Sequence, residues 1–241
     1  MTAASADHVA LVTGATRGIG AALALLLAEQ HVHVYVAGRV GTDADTAAAR
    51  IRRDSGFEHV HALVLDVTRV DSVSRAFADI QRRSGRLDIL VNNAAIAIDR
   101  GRSASMQDIS KVTATLDANT VGAWRCISDA VPLMRGRGYG RIVNVSSHLA
   151  SLAVGNGSSP AYVVSKAALN ALTVSLAAEF AENNENIKVN AASPGTADTR
   201  MAYTPGQPSA RDAAKRLMWL TQLADDGPSG RFFYGTEELP W

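Results

Sequence analysis

His8-Val9-Ala10-Leu11-Val12-Thr13-Gly14-Ala15-Thr16-Arg17-Gly18-Ile19-Gly20 is the stretch whose reading decides the fold. Its first five residues are a short apolar, β-branched run, the signature of a buried strand. Three glycines follow at G-x-x-x-G-x-G spacing, and then an alanine- and leucine-rich helix from residue 21 to about 30. Strand, glycine turn and helix together let backbone approach a pyrophosphate at a helix N-terminus. The spacing is not the common G-x-G-x-x-G, and glycines also simply permit tight turns. Placement after the first strand of a βαβ pattern favours the ligand reading.

Apolar strand runs recur at Val9, Val32, Val60, Leu87, Ile142, Ile187 and Phe232, with helical stretches between them. That alternation is the signature of a parallel sheet with helices on both faces. The expectation is an α/β fold: a Rossmann-type, doubly wound, mainly parallel seven-stranded sheet. A chain of 241 residues permits one large α/β domain or two small ones. No low-complexity linker divides it and no solenoid-period repeat is found, so residues 1–241 read as a single dinucleotide-binding and catalytic domain.

The second strand, His33-Val34-Tyr35-Val36-Ala37-Gly38, runs into Arg39. A site for NAD usually places an acidic residue near this strand end to hold the ribose 2′-hydroxyl. None is present here. Arg39 stands there instead, and Arg17 sits inside the glycine turn. Each alone reads equally well as a surface arginine; together they suit a 2′-phosphate. The expected cofactor is NADP(H), with NAD(H) as the alternative.

Tyr162 and Lys166 lie four residues apart, one helical turn, so phenol and ammonium share a face. A free phenol, with a pKa of about 10, is a poor proton donor or acceptor near neutrality. A nearby ammonium favours the phenolate and draws that value down. A hydroxyl from the upstream pair Ser146-Ser147 could hold a substrate oxygen against the phenol. Tyr-x-x-x-Lys also occurs by chance in many helices, and the glycine turn at the other end of the chain is what favours chemistry.

Net charge is +1, with 24 basic and 23 acidic side chains. That leaves no large field to attract nucleic acid or an anionic membrane. The locally basic Arg135-Gly136-Arg137-Gly138-Tyr139-Gly140-Arg141 reads as a solvated helix-to-strand turn. Cys126, the single cysteine, has no disulfide partner and reads as a small apolar helix residue. The histidines show no ligand spacing and no metal is expected; His59 and His61 share a strand face. His148, directly after Ser147, either meets substrate or serves structure. Residues 1–7 lack the basic and apolar regions of a signal peptide, and no stretch reads as long and apolar enough to span a bilayer. A cytoplasmic location is expected.

With these residues in hand, the chain resembles the short-chain dehydrogenase/reductase family over nearly its whole length. The motifs stand in the family's order: Thr13-Gly14-x-x-x-Gly18-Ile19-Gly20, Asp66-Val67, Asn92-Asn93-Ala94, Asn119, Ser147, Tyr162-x-x-x-Lys166 and Pro194-Gly195. The resemblance implies cofactor contacts from Gly14, Thr16, Arg17, Gly18, Ile19, Gly20 and Arg39. It puts Asp66 and Val67 beside the adenine, and Asn93 and Ala94 along the nucleotide groove. Pro194, Gly195 and a following threonine would lie by the nicotinamide; Thr196 and Thr199 are both available, and the family's preference points to Thr199. Asn119 would hold a water in a relay through Lys166, Ser147 would orient the carbonyl, and Tyr162 would transfer the proton. Lys166 would also bind the nicotinamide ribose. Residue 95 is Ala where the family often has Gly, and the gap from Ser147 to Tyr162 is longer than in many members. The final stretch from Asp226 to Trp241 is similar to that of carbonyl-reductase-like members.

The implied function is NADPH-dependent reduction of a ketone or aldehyde, a carbonyl reductase reversible as an alcohol dehydrogenase. An NAD-dependent alcohol dehydrogenase of the same fold and a catalytically silent nucleotide-binding regulator are the alternatives. The alanine-, valine- and leucine-rich helical regions 108–134 and 160–182 allow close packing between subunits, and the resemblance implies a homodimer or homotetramer through them. A short segment from Thr196 to about Ser209, carrying Met201, Tyr203, Pro205 and Pro208, is expected to cover an open, mostly apolar substrate pocket.

Overall fold

The computed structural model describes residues 8–99, 101, 103–153, 159–198 and 207–241. Residues 1–7, most of the loop before Tyr162, Thr199, Met201, Tyr203 and Pro205 lie outside that set. One sheet runs through the described chain in the order β3-β2-β1-β4-β5-β6-β7-β8. Its strands are β1 (Val9–Val12), β2 (His33–Gly38), β3 (Val60–Val64), β4 (Ile89–Asn92), β5 (Gly140–Val145), β6 (Ile187–Ser193), β7 (Phe232–Tyr234) and β8 (Glu237–Glu238).

The first seven strands pair in parallel and only β8 is antiparallel, against β7. The expectation of a doubly wound, mainly parallel sheet holds. The expected count of seven is corrected to eight. β8 is two exposed glutamates with no apolar pattern, held by pairing of Tyr234 with Glu237 and Phe233 with Glu238.

Helices α1 (Gly18–Glu29), α2 (Gly41–Ser55), α3 (Val70–Ser84), α4 (Ile109–Leu116), α5 (Gly122–Arg135), α6 (Pro160–Glu182) and α7 (Ala210–Met218) cover the two faces. The core divides accordingly. Leu23, Leu27, Ile51, Val143 and Leu217 pack on the α1–α7 side. Phe77, Ile80, Ile127, Met134, Leu169 and Phe180 pack on the α3–α5–α6 side. Each such side chain, fully buried, contributes about 1.5–3 kcal/mol.

Two boundaries differ from the sequence pattern in ways that matter for the site. Helix α1 starts at Gly18, inside the glycine turn rather than after it. The helical region 108–134 is broken by a π turn, Asp117–Val121, centred on Asn119. Such turns insert one residue into the helical ladder and recur at functional sites.

The expectation of no bilayer-length apolar stretch is also corrected. Helix α6, 23 residues long, is long and apolar enough by composition. Its Leu169, Leu172, Leu176 and Phe180 are buried in the core against the sheet, which accounts for the composition.

Candidate active site

The strand order reverses between β1 and β4: the chain winds outward through β2 and β3, then returns to the other side of β1. In sheets of this kind ligands bind in the crevice beyond the carboxyl ends of the strands at that reversal. Thr13, just past β1, knits the two sides of the crevice. Its Oγ1 accepts from the backbone N–H groups of Asn93 and Ala94, both at 3.0 Å, and donates to Val91 O at 3.3 Å. The Asn93 side-chain amide donates back to Thr13 O (2.8 Å) and Gly14 O (3.1 Å).

The glycines are required first by this internal packing. Gly14 has φ +62, and a Cβ there would sit 2.9 Å from Ala94 Cα. A Cβ on Gly20 would lie 2.4 Å from Asn93 Nδ2. Asn93 therefore braces the turn from below, and Ala94 packs against Gly14. Ala95 does not adopt a positive φ, so the turn does not need the family's usual glycine at that position.

Helix α1 opens toward the crevice with its first-turn N–H groups uncapped. Arg17 occupies the capping position in extended conformation, makes no side-chain cap, and no acidic residue lies in the first turn. Orphan donors and a positive helix end suit an anion. Gly18 (φ +58) turns the chain into the helix, and Ile19 leans on the core. Thr16 packs over the end of β2, where a Cβ on Gly38 would be 2.4 Å from its methyl. Arg17 and Arg39 are both exposed, and among the described residues neither is tied to a carboxylate. This donor set fits the phosphates of a dinucleotide.

Beyond β3, the Asp66 carboxylate accepts from Thr68 N (3.0 Å) and Thr68 Oγ1 (2.7 Å), which fixes a tight turn. Val67 packs onto Gly122 at the start of α5, where a Cβ would come within 2.8 Å of its Cγ2. These two residues form the flank of the crevice next to β2.

On the other flank, α6 carries Tyr162, Ser165 and Lys166, and Lys166 reaches the end of β5. Lys166 is 2 % exposed and its Nζ donates to Val145 O at 2.7 Å. Burial pushes its pKa down from 10.5 to about 8. The amine lies 5.8 Å from the Tyr162 ring centroid, so the shared face read from the sequence is present, at through-space range rather than in contact. The serine pair divides. Ser146 is buried with its hydroxyl turned inward, whereas Ser147 is partly exposed and accepts from Leu149 N at 3.3 Å. Exposure selects Ser147 as the hydroxyl able to meet a substrate.

Asn119 is 1 % exposed, and its side chain is a clip. It accepts from Ile96 N (2.8 Å) and donates to Ile96 O (2.9 Å) and Ser165 Oγ (3.0 Å). The loop after β4 is thereby fastened to α6. With the amide so engaged, any part of Asn119 in a relay through Lys166 falls to its backbone.

Pro194 and Gly195 close the end of β6. Gly195 has φ +75, and a Cβ there would meet Tyr234 Cε2 at 2.9 Å. Arg216 of α7 donates to Pro194 O at 2.8 Å. Ser193 Oγ accepts from both Gly195 N (3.2 Å) and His148 N (3.1 Å), tying this turn to the loop that carries Ser147. His148 itself is exposed. Thr196 is described and exposed; Thr199 lies outside the described residues. Ser193, Arg216 and the Thr13 hydroxyl have no local sequence signal. Each acts on a partner that only the topology brings near.

Fold and site together define a dinucleotide-binding α/β oxidoreductase of the doubly wound class. The family model for short chain dehydrogenases matches residues 8–208, and the chain belongs to that family, the short-chain dehydrogenases/reductases, whose members bind a nicotinamide cofactor and act on small molecules. It is 39% identical over 217 residues to the cis-4-hydroxycyclohexanecarboxylate dehydrogenase of Sinomonas cyclohexanicum, covering 90% of this chain and 84% of that one. It is 36% identical over 190 residues to the 3-oxoacyl-acyl-carrier-protein reductase FabG of Staphylococcus aureus, covering 77% and 73%. A gluconate 5-dehydrogenase from Burkholderia cenocepacia J2315, solved with NADP and tartrate, superposes with a TM-score of 0.82 at 26% identity, covering 94% of this chain and 92% of that one. Levodione reductase, at 22% identity and a TM-score of 0.85, covering 95% of each chain, shares the fold.

Proposed function

We propose that this protein is an NADPH-dependent carbonyl reductase that converts a ketone or aldehyde to the alcohol, and runs in reverse as an alcohol dehydrogenase. The observation that carries the reading is the Tyr162–Lys166 pair against the end of β5, with the partly exposed Ser147 in the loop that follows that strand, at the carboxyl edge of a nucleotide-binding sheet. Gly14, Thr16, Gly18, Ile19 and Gly20 form the pyrophosphate turn. Asp66, Val67, Asn93 and Ala94 wall the groove, and Pro194 and Gly195 with Thr196 or Thr199 close its nicotinamide end. Arg17 and Arg39 take the 2′-phosphate. A nicotinamide held there supplies the hydride.

The protein's own residues orient the carbonyl and move the proton. Ser147 Oγ donates to the substrate oxygen and holds it against Tyr162. Tyr162 gives its phenolic proton to that oxygen as the alcohol forms. Lys166 holds a positive charge behind the phenol below about pH 8, which favours proton release and positions the ribose. The NADP named with the gluconate 5-dehydrogenase supports the cofactor, and the hydroxyl-bearing substrate named for the Sinomonas relative supports hydride transfer at an alcohol or carbonyl carbon. Uncharged ketones and aldehydes are the proposed substrates.

The assembly is proposed to be a homo-oligomer. Val121 in the π turn, Trp124 on α5 and Val164 and Val174 on α6 are each 40 % exposed or more, large apolar side chains on the outside of this helical layer. Light scattering checks this: a mass of 25.4 kDa, that of one chain, at micromolar concentration contradicts it.

Steady-state turnover of cyclic and open-chain ketones, aldehydes and quinones with NADPH and NADH tests the reaction. Turnover of uncharged carbonyls with NADPH preferred is expected. Turnover confined to alcohols with NAD, or to polyanionic substrates, overturns it.

A further inference from the structure

Helix α6 places Tyr162 in its first turn, and the usual means of fixing that turn is missing. Pro160 opens the helix, so the next backbone donors are those of Ala161 and Tyr162. A capping side chain ordinarily accepts from one of them. Ser159 holds the capping position, but its backbone is left-handed (φ 51, ψ 57) and its side chain makes no cap. First-turn donors left unpaired allow the turn to fray.

The partner comes from 62 residues away. Asp99, in the loop after β4, is 2 % exposed, and its Oδ2 accepts from Ala161 N at 2.6 Å and from Tyr162 N at 3.3 Å. Its backbone oxygen accepts from Gln107 Nε2 at 3.2 Å, which holds the loop itself. Its other carboxylate oxygen is buried and has no partner among the described residues. Burying a carboxylate half-satisfied is costly, and a neutral acceptor would take the same two bonds at lower cost. The charge is what the helix end rewards: charge-assisted bonds to backbone N–H are shorter and stronger, and the positive end of a 23-residue helix favours an anion.

Asp99 is also the second of two clips. Asn119 fastens Ile96 of the same loop to Ser165. The loop that borders the crevice after β4 is thus joined to α6 at the turn bearing Tyr162 and again one turn later, beside Lys166.

We infer that Asp99 is a positioning residue for the reaction: its carboxylate caps α6 in place of Ser159 and sets the phenol of Tyr162 relative to the loop that borders the nicotinamide end. The inference rests on Tyr162 being the proton donor. Asp99→Ala is expected to lower kcat by about 10²-fold, the cost of misplacing a reacting group by about 1 Å, with the KM for NADPH unchanged. Asp99→Asn, which keeps an acceptor without the charge, is expected to recover only part of that loss and to leave kcat about 10-fold below wild type. In a Tyr162→Phe background, Asp99→Ala is expected to cost nothing further, because it acts only through the phenol.

An unchanged kcat in Asp99→Ala overturns the inference, as does an independent, multiplicative loss in the Tyr162→Phe background. Should Asp99→Ala not fold, Asp99→Asn carries the test through amide hydrogen exchange. Faster exchange at Ala161 and Tyr162 with a lowered kcat supports the cap; unchanged exchange and unchanged kcat overturn it. The two readings fail separately. Full turnover by Tyr162→Phe alone removes the proposed reaction, whereas amide exchange reads the Asp99 cap without any turnover.

Discussion

A buried cation meets each end of strand β5, Arg141 from the strand itself and Lys166 from α6, and the two are built on opposite principles. At its start, Arg141 is fully buried and spends every part of its guanidinium. Nε donates to Leu223 O (2.7 Å), NH1 to Gly140 O (2.8 Å) and to both oxygens of Asn186 (3.2 Å each), and NH2 to Asp225 (2.9 Å). Its carbon lies 4.0 Å over the Tyr139 ring. Nearby, Asp88 is equally spent, on Val9 N and bidentately on Arg86. At the far end, Lys166 makes one hydrogen bond among the described residues, to Val145 O, although an ammonium has three donors. Among the described residues, Ser146 Oγ and both amide atoms of Asn170 are buried without protein partners, and Arg17 and Arg39 across the crevice pair with no carboxylate. One edge of the sheet uses its polar groups for the fold. The other holds them open, which costs stability and leaves donors for a ligand and a proton.

The sharpest way to break that comparison is to remove each cation. Lys166→Ala is expected to lower kcat/KM by at least the roughly 10²–10⁴-fold typical of a lost acid–base partner, because it disturbs both the phenol and ribose binding. Its thermal stability should hold or rise, since a desolvated amine is removed. A marked fall in stability with little loss of rate would place Lys166 with Arg141 instead.

Arg141→Ala is the mirror experiment. It strands the carbonyls of Leu223, Gly140 and Asn186, and a loss of about 3 kcal/mol in denaturant unfolding is expected. Turnover per folded molecule should stay at the wild-type level. Rate loss at full stability would show that the two edges are not separable.

Arg39→Asp probes a smaller effect at the open edge. One good charged contact is worth roughly 1.5–3 kcal/mol, which corresponds to about 10- to 100-fold in cofactor preference. The variant should prefer NADH by a comparable factor, because it loses the phosphate partner and gains a ribose acceptor. Measured kcat/KM for both cofactors decides it; a wild type that already uses NADH as well as NADPH removes the role of both arginines.

The mildest probe is pH. Burial holds Lys166 at about 8, against about 10.4 in an unfolded chain. Carbonyl reduction is expected to decline as pH rises through about 8 and the amine loses its charge. Between these two values the unfolded chain binds a proton that the folded one lacks, so this group makes stability increase with pH across the window. Lys166→Met should abolish that increase in pH-dependent unfolding, and an unaltered slope would assign it elsewhere.

What the sequence made legible was local in the chain. The Tyr162–Lys166 face follows from helical period, the glycine turn from its place after β1, and Arg39 from its place after β2. The exposure that distinguishes Ser147 from Ser146 needed the structure, since adjacent residues carry the same chemistry. Cys126 proved as inert as its setting suggested: it is buried and its thiol is pushed up to about 12. The parts that were not legible depend on contacts made across the fold. Asp99 meets Ala161 over 62 residues, Arg141 meets Leu223 over 82, and Ser193 meets His148 over 45. The π turn at Asn119 was hidden for the same reason. Residues 108–134 carry a continuous helical pattern, and the interruption coincides with bonds from Asn119 to Ile96 and Ser165. β8 has no strand pattern and exists because β7 offers it an edge.

The central claim is that the open edge of the sheet is where a proton is moved, and that Tyr162 moves it. The direct measurement is the rate of NADPH-dependent ketone reduction by purified Tyr162→Phe at saturating cofactor, with unfolding followed on the same sample. The account predicts a loss of roughly 10²–10⁴-fold with wild-type stability. Near-normal turnover by the phenylalanine variant would contradict it and assign the proton to another group.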